Sequence, residues 1–187
     1  ISIFRRIEEI IIKRGSLPTD FEAEEREYQE GKITFAPGAM EGIINHHSGG
    51  NGSKSDFINT LKQYVLMAPA TALEKFEKEK ADTFQTATIR KSLLNDIMKN
   101  QKQLNAGKVA NLAYVFAANG HKCETVKLGL SMMMLFNFSD NPQVCHLLKT
   151  LGYCEEFTDY VLMNIGDWEE SRQQELLFEL AQKIHGW

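Results

Sequence analysis

Three apolar segments in the C-terminal half each run into a glycine: Val109 to Gly120, Val144 to Gly152, and Leu176 to Gly186. The glycines lie 32 and then 34 residues apart. After the first two the chain restarts at once, through His121-Lys122-Cys123-Glu124-Thr125 and Tyr153-Cys154-Glu155-Glu156-Phe157. Glycine ends a helix readily because, lacking Cβ, it enters the left-handed conformation without a clash. A helix, a stop, a short turn and another helix, repeated at a period of roughly 30 to 45 residues, is the mark of helical-repeat architecture. Each hairpin in such an array buries its apolar stripe only by stacking on its neighbours. The pattern predicts an all-α chain of stacked antiparallel helical hairpins, a short α-solenoid.

The remaining sequence extends this reading and divides the chain. Ile3, Ile7, Ile10 and Ile11 recur at helical spacing, and Gly15 is placed to stop that helix in the left-handed conformation. A charged helix is expected over Phe21–Gln29, entered through Pro18-Thr19-Asp20. Lys32–Ala36 reads as an extended connector, and Pro37 as the first-turn residue of a short helix to His46. Ser48-Gly49-Gly50-Asn51-Gly52-Ser53-Lys54-Ser55 has the composition of a loop or linker. Residues 1–47 are therefore expected to form a less regular N-terminal helical appendage, 48–55 a Gly/Ser-rich loop, and 56–187 the helical-repeat domain. Within that domain Ser55 is a candidate cap for a helix bearing Phe57, Leu61, Tyr64 and Val65, and Pro69 ends it. Further helices are expected at Thr71–Lys80 and Thr83–Asn100. Val126–Phe138, with Met132-Met133-Met134 inside it, is apolar nearly all round, which places it at the centre of the core.

Over about residues 106–187 this succession resembles HEAT- and armadillo-type helical repeats, in units shorter than a usual HEAT unit. The resemblance implies a right-handed stack of antiparallel helix pairs. It carries over no functional residue, since those families have no catalytic motif. The closing Leu180 to Trp187 is similar to the end of a first helix whose partner is missing. The domain is thus expected to be incomplete at its C-terminal end, the native chain continuing past Trp187, unless Trp187 folds back over the core.

Charge narrows the choice of partner. The 187 residues carry a net charge of −4, which disfavours nucleic acid. Residues 1–53 are net −3, residues 54–108 net +4, and residues 109–187 net −5. Three cysteines without paired spacing fit a reducing, cytoplasmic compartment better than a disulfide framework. No apolar run approaches the ~18 residues of a membrane span. The longest candidate, Leu128 to Phe138, has 11 residues and includes Gly129, Ser131 and Asn137, so a soluble protein away from membranes is expected.

Motifs for catalysis are missing from the sequence: there is no P-loop, GxGxxG, GxSxG or HExxH. His121, Cys123, Cys145, His146 and Cys154 could in principle bind zinc. They lack the close paired spacing that structural zinc sites use, so no metal, no cofactor and no catalytic residue is expected. His46-His47 ends a helix, where the dipole favours histidine. What stands out is a set of carboxylates around one tryptophan: Glu155, Glu156, Asp159, Asp167, Glu169 and Glu170, with Trp168 among them. Tryptophan is a frequent interface anchor. The expected function is a non-enzymatic protein-interaction module, in its concrete form a bacterial inhibitor or immunity-type protein whose acidic surface meets a basic protein partner. Two alternatives stand beside it. One is a nucleic-acid-acting enzyme on a HEAT-like scaffold, similar to alkylpurine DNA glycosylases, using Lys54, Lys62, Arg90, Lys91, Lys99, Lys102 and Lys108. The other is a structural fragment of a larger scaffold protein.

Overall fold

The computed structural model describes residues 1–25, 39 and 56–184. The expected connector Lys32–Ala36, the linker 48–55, Gly186 and, apart from a helical Ala39, the helix Pro37–His46 lie outside the described residues. Among the described residues all regular structure is helical: nine helices and no strand. They are α1 Ile3–Arg14, α2 Phe57–Leu66, α3 Pro69–Glu79, α4 Thr86–Lys99, α5 Ala106–Asn119, α6 Cys123–Met133, α7 Pro142–Gly152, α8 Glu155–Ile165 and α9 Glu170–Lys183. None of them is long and apolar enough to cross a membrane.

Local chemistry accounts for several helix ends. The Ser2 hydroxyl accepts from the N–H of Arg5, and Gly15 closes α1 at φ 80°, donating to the carbonyl of Ile11. Asn105 and Asn141 cap α5 and α7 through their side-chain oxygens. Pro69 does more than follow α2: it is the first residue of α3, a position where its missing N–H is harmless. The charged helix expected from Phe21 is absent over 21–25, and the reason is tertiary. Arg6 donates to the carbonyls of Glu22 and Ala23, both at 3.1 Å, and its guanidinium stands 5.7 Å over the Phe21 ring. Glu24 then reaches across 99 residues to accept from the N–H of Cys123, 2.7 Å away, capping α6.

The core is organised around α5 and α6. Every residue of α6 from Thr125 to Met133 is buried, as its mostly apolar sequence favours, with Lys127 carried in beside Glu156. Gly129 lets the two backbones touch: a Cβ there would sit 2.5 Å from the nitrogen of Ala117 and 2.7 Å from the carbonyl oxygen of Ala113. α7 packs on α8, α6 on α8, α4 on α6, α3 on α5, and α9 on α7. α1 lies against both α5 and α7, and Ile3, Phe4 and Ile7 join the same buried cluster as the C-terminal helices. Beside α5, the rings of Phe57, Tyr64, Phe76, Phe84 and Phe116 meet at centroid distances of 4.9–6.5 Å. Such tilted and edge-on pairs add to the burial of the rings themselves.

The two glycine stops described, Gly120 and Gly152, do stand at helix ends, and they serve packing there. Gly120 is extended, at φ −61° and ψ 139°, and a Cβ would strike the carbonyl oxygen of Phe116 at 2.7 Å. Gly152 is still helical, and a Cβ would meet Leu180 of α9 at 2.9 Å.

Candidate partner-binding cleft

α8 separates the carboxylates singled out in the sequence into two groups with different surroundings. Glu155 and Glu156 occupy its first turn, where the helix dipole favours negative charge. Glu156 is 7% exposed and pairs at 2.5 Å with Lys127, itself 4% exposed. Lys127 lies 3.5 Å from Glu124, whose carboxylate accepts from the N–H of Thr86 at 2.7 Å. Asp159 faces Arg90 at 4.0 Å, and that guanidinium stands 5.4 Å over the ring of Tyr160. These charges tie α4, α6 and α8 together.

Half-buried Glu155 borders a small cavity of about 110 Å³, together with Cys123, Cys154 and the 17–24 segment. Burial, then the nearby carboxylates of Glu156 and Glu24, push the Cys123 thiol far up. Burial lifts Cys154 to about 12. Both sulfurs are therefore protonated at neutral pH and are poor nucleophiles. His121 pairs with Glu77 at 3.0 Å and His146 with Glu8 at 2.6 Å. Among the described residues no group of three or more His, Cys, Asp or Glu could hold a metal ion.

The other four residues, Asp167, Trp168, Glu169 and Glu170, form the turn from α8 into α9. The backbone N–H of Trp168 bonds to the carbonyl of Ile165, and the half-buried side chain packs on the core edge. Here it lines an open cleft of about 510 Å³ between α7 and α9. Pro142, Leu176 and Trp168 give the cleft apolar surface, and Cys145 and His146 border it from α7.

The cleft's basic side chains are all engaged within the chain. Lys149 pairs with Glu179 at 2.8 Å. Arg172 donates to Asp140 at 2.8 Å and to the carbonyl of Ser139 at 2.7 Å. Burial works against ionisation of Glu179, but hydrogen bonds from Lys149 and Tyr153 outweigh it and hold the carboxyl below its ordinary range. Exposed Asp167, Glu169 and Glu175 have no ion pair among the described residues, and Glu170 accepts only from Gln174. The cleft thus presents one uncompensated carboxylate, Glu175, along with a half-buried tryptophan that Asp167 and Glu169 flank in sequence. Sequence reasoning missed Glu175 and the whole α7 wall, because nothing local marks which helix will face the Trp168 turn.

Comparison of the chain with family models, curated proteins and solved structures returned no match.

Proposed function

We propose that this chain is a non-enzymatic protein-interaction module, a cytoplasmic stack of helical hairpins that binds a basic partner through the acidic surface around Trp168. One observation carries the reading: Lys149 and Arg172, which border the cleft, are held by carboxylates of the chain, while Asp167, Glu169 and Glu175 have no ion pair among the described residues. Opposite charge on a partner would steer its approach and fix its orientation. The architecture is consistent with a HEAT-like array. α5 and α6 pack on each other across a three-residue connection, α7 and α8 across a two-residue one, and α6 meets α8. Short connections between packed helices favour antiparallel neighbours. In its concrete form the module is an inhibitor or immunity-type protein that neutralises a basic toxin, a reading supported only by the chain's length and net charge of −4.

The nucleic-acid reading has less support. Of its basic residues, Arg90 is turned toward Asp159 and Tyr160, and Lys62 donates to Gln103. The proposal is tested with the full chain and its Asp167→Lys/Glu169→Lys/Glu175→Lys variant as parallel baits. A basic protein captured by the first and lost from the second, with affinity falling as salt rises, supports it. A partner held equally by both baits sinks it.

A further inference from the structure

We infer that the α7–α9 cleft receives an arginine side chain of the partner, stacked against Trp168. The inference rests on the acidic-surface reading above and specifies its central contact. A cavity of about 510 Å³ falls in the range of roughly 300–1,000 Å³ typical of small-ligand sites, room for a long side chain with adjoining backbone. Its apolar surface at Leu176 and Pro142 suits the methylenes of such a side chain. Its one unpaired lining carboxylate, Glu175, suits a cation at the tip.

Trp168 decides which cation. Four cations of the described residues already stand over aromatic rings: Arg5 over Phe4, Arg6 over Phe21, Arg90 over Tyr160 and Lys183 over Tyr153. No cation of the described residues stands over Trp168, although indole is the best ring for this contact. Arg172, four residues on and bordering the same cleft, is held instead by Asp140 and the carbonyl of Ser139. The ring lines the cleft together with the unpaired Glu175, and Asp167 and Glu169 flank it in sequence. A planar guanidinium can lie on the indole while its edge forks to a carboxylate; an ammonium offers only a point charge.

The test uses blocked peptides of four arginines spaced by alanines, with lysine and citrulline versions of the same length. Trp187→Phe supplies a background in which Trp168 is the sole fluorescent tryptophan. The arginine peptide should shift Trp168 emission and bind at low salt roughly tenfold more tightly than the lysine peptide, with the neutral citrulline peptide weaker still. Trp168→Ala should cost about tenfold, Trp168→Phe less, and Glu175→Gln should weaken the arginine peptide more than the citrulline one. Equal binding of arginine and lysine peptides, or indifference to Trp168→Ala, overturns the arginine assignment. Absence of binding by every cationic peptide overturns it as well. The broader reading fails separately, when the captured partner ignores reversal of the three carboxylates.

Discussion

Gly129 provides the most direct test of the packing described above. In Gly129→Ala the new Cβ meets three backbone atoms of α5: the nitrogen of Ala117 at 2.5 Å, the oxygen of Ala113 at 2.7 Å and the Cα of Ala117 at 3.0 Å. Ordinary contact begins at 3.4 Å, so the nearest atom is about 0.9 Å too close. No rotamer change relieves a clash with backbone, and α6 must move as a body. A gap of roughly 0.5–1 Å forfeits a quarter to a half of each dispersion contact along the seam. Overpacking of this kind costs about 1–3 kcal/mol, and the backbone character of the clash places it near the top of that range. Alanine regains about 1 kcal/mol through its higher helix propensity. The net loss is about 2 kcal/mol, a fall in Tm of about 4–8 °C for a chain of this length. Gly107→Ala is the matched control: it lies in the exposed first turn of α5, and its Cβ meets only the side chain of Asn105, at 3.4 Å. That substitution should leave stability unchanged or raise it by up to ~1 kcal/mol. Urea and thermal unfolding followed by circular dichroism measure both. Should Gly129→Ala prove neutral, or should the two variants shift in the same direction, the close α5–α6 approach is wrong.

Three further outcomes follow from named contacts. Lys127→Met leaves Glu156 buried without its 2.5 Å partner and should destabilise by about 3–5 kcal/mol in urea unfolding. Adding Glu156→Leu should recover much of that loss, and a double variant no better than the single would deny the pair its role. Glu8 is held below its ordinary value of 4.5 first by the hydrogen bond with His146, with Arg5 assisting against burial. A lowered carboxylate stabilises the fold above its unfolded pKa and loses that contribution as pH falls through the folded one. A pH series of unfolding midpoints below 4.5 should therefore be shallower in Glu8→Gln than in the wild type. Gly15→Ala should cost about 1 kcal/mol by thermal melt, since φ 80° strains any side chain although the space around it is open; an unchanged melt would reject the left-handed assignment.

Local signals made the helices legible, and long-range ones hid the site. Gly15 was readable because a left-handed stop is a property of one residue and its helix. The burial of α6 was readable because its apolar residues leave no polar face. The stops at Gly120 and Gly152 are legible, but their reason is not: whether a glycine is needed for its φ or for what passes close to it depends on Phe116, Val126 and Leu180 being brought there by the fold. The same limit applies to residues 21–25, where Arg6 and the N-terminus of α6 override a helical pattern. Pro69 was recognised as a boundary but not as the start of α3, although its tolerance at a first helical turn was a usable signal. The contact of α1 with α5 and α7 joins residues over a hundred positions apart, which no periodicity encodes.

The carboxylates show how one residue type takes two roles in one short stretch of chain. In sequence, Glu155, Glu156 and Asp159 look no different from Asp167, Glu169 and Glu170. The fold separates them by whether a cation from another helix arrives. α6 brings Lys127 to Glu156 and α4 brings Arg90 to Asp159, so these charges join helices and a reversal there acts on folding. At the far end of α8 the neighbouring cations are held elsewhere, Arg172 by Asp140 and Lys149 by Glu179, so reversal of Asp167, Glu169 or Glu175 removes no ion pair of the described residues. Such exposed positions ordinarily tolerate substitution within about 0.5 kcal/mol. Stability and partner affinity are then separable experimentally, and a loss of binding in the triple reversal with an unchanged melt reports on the surface alone.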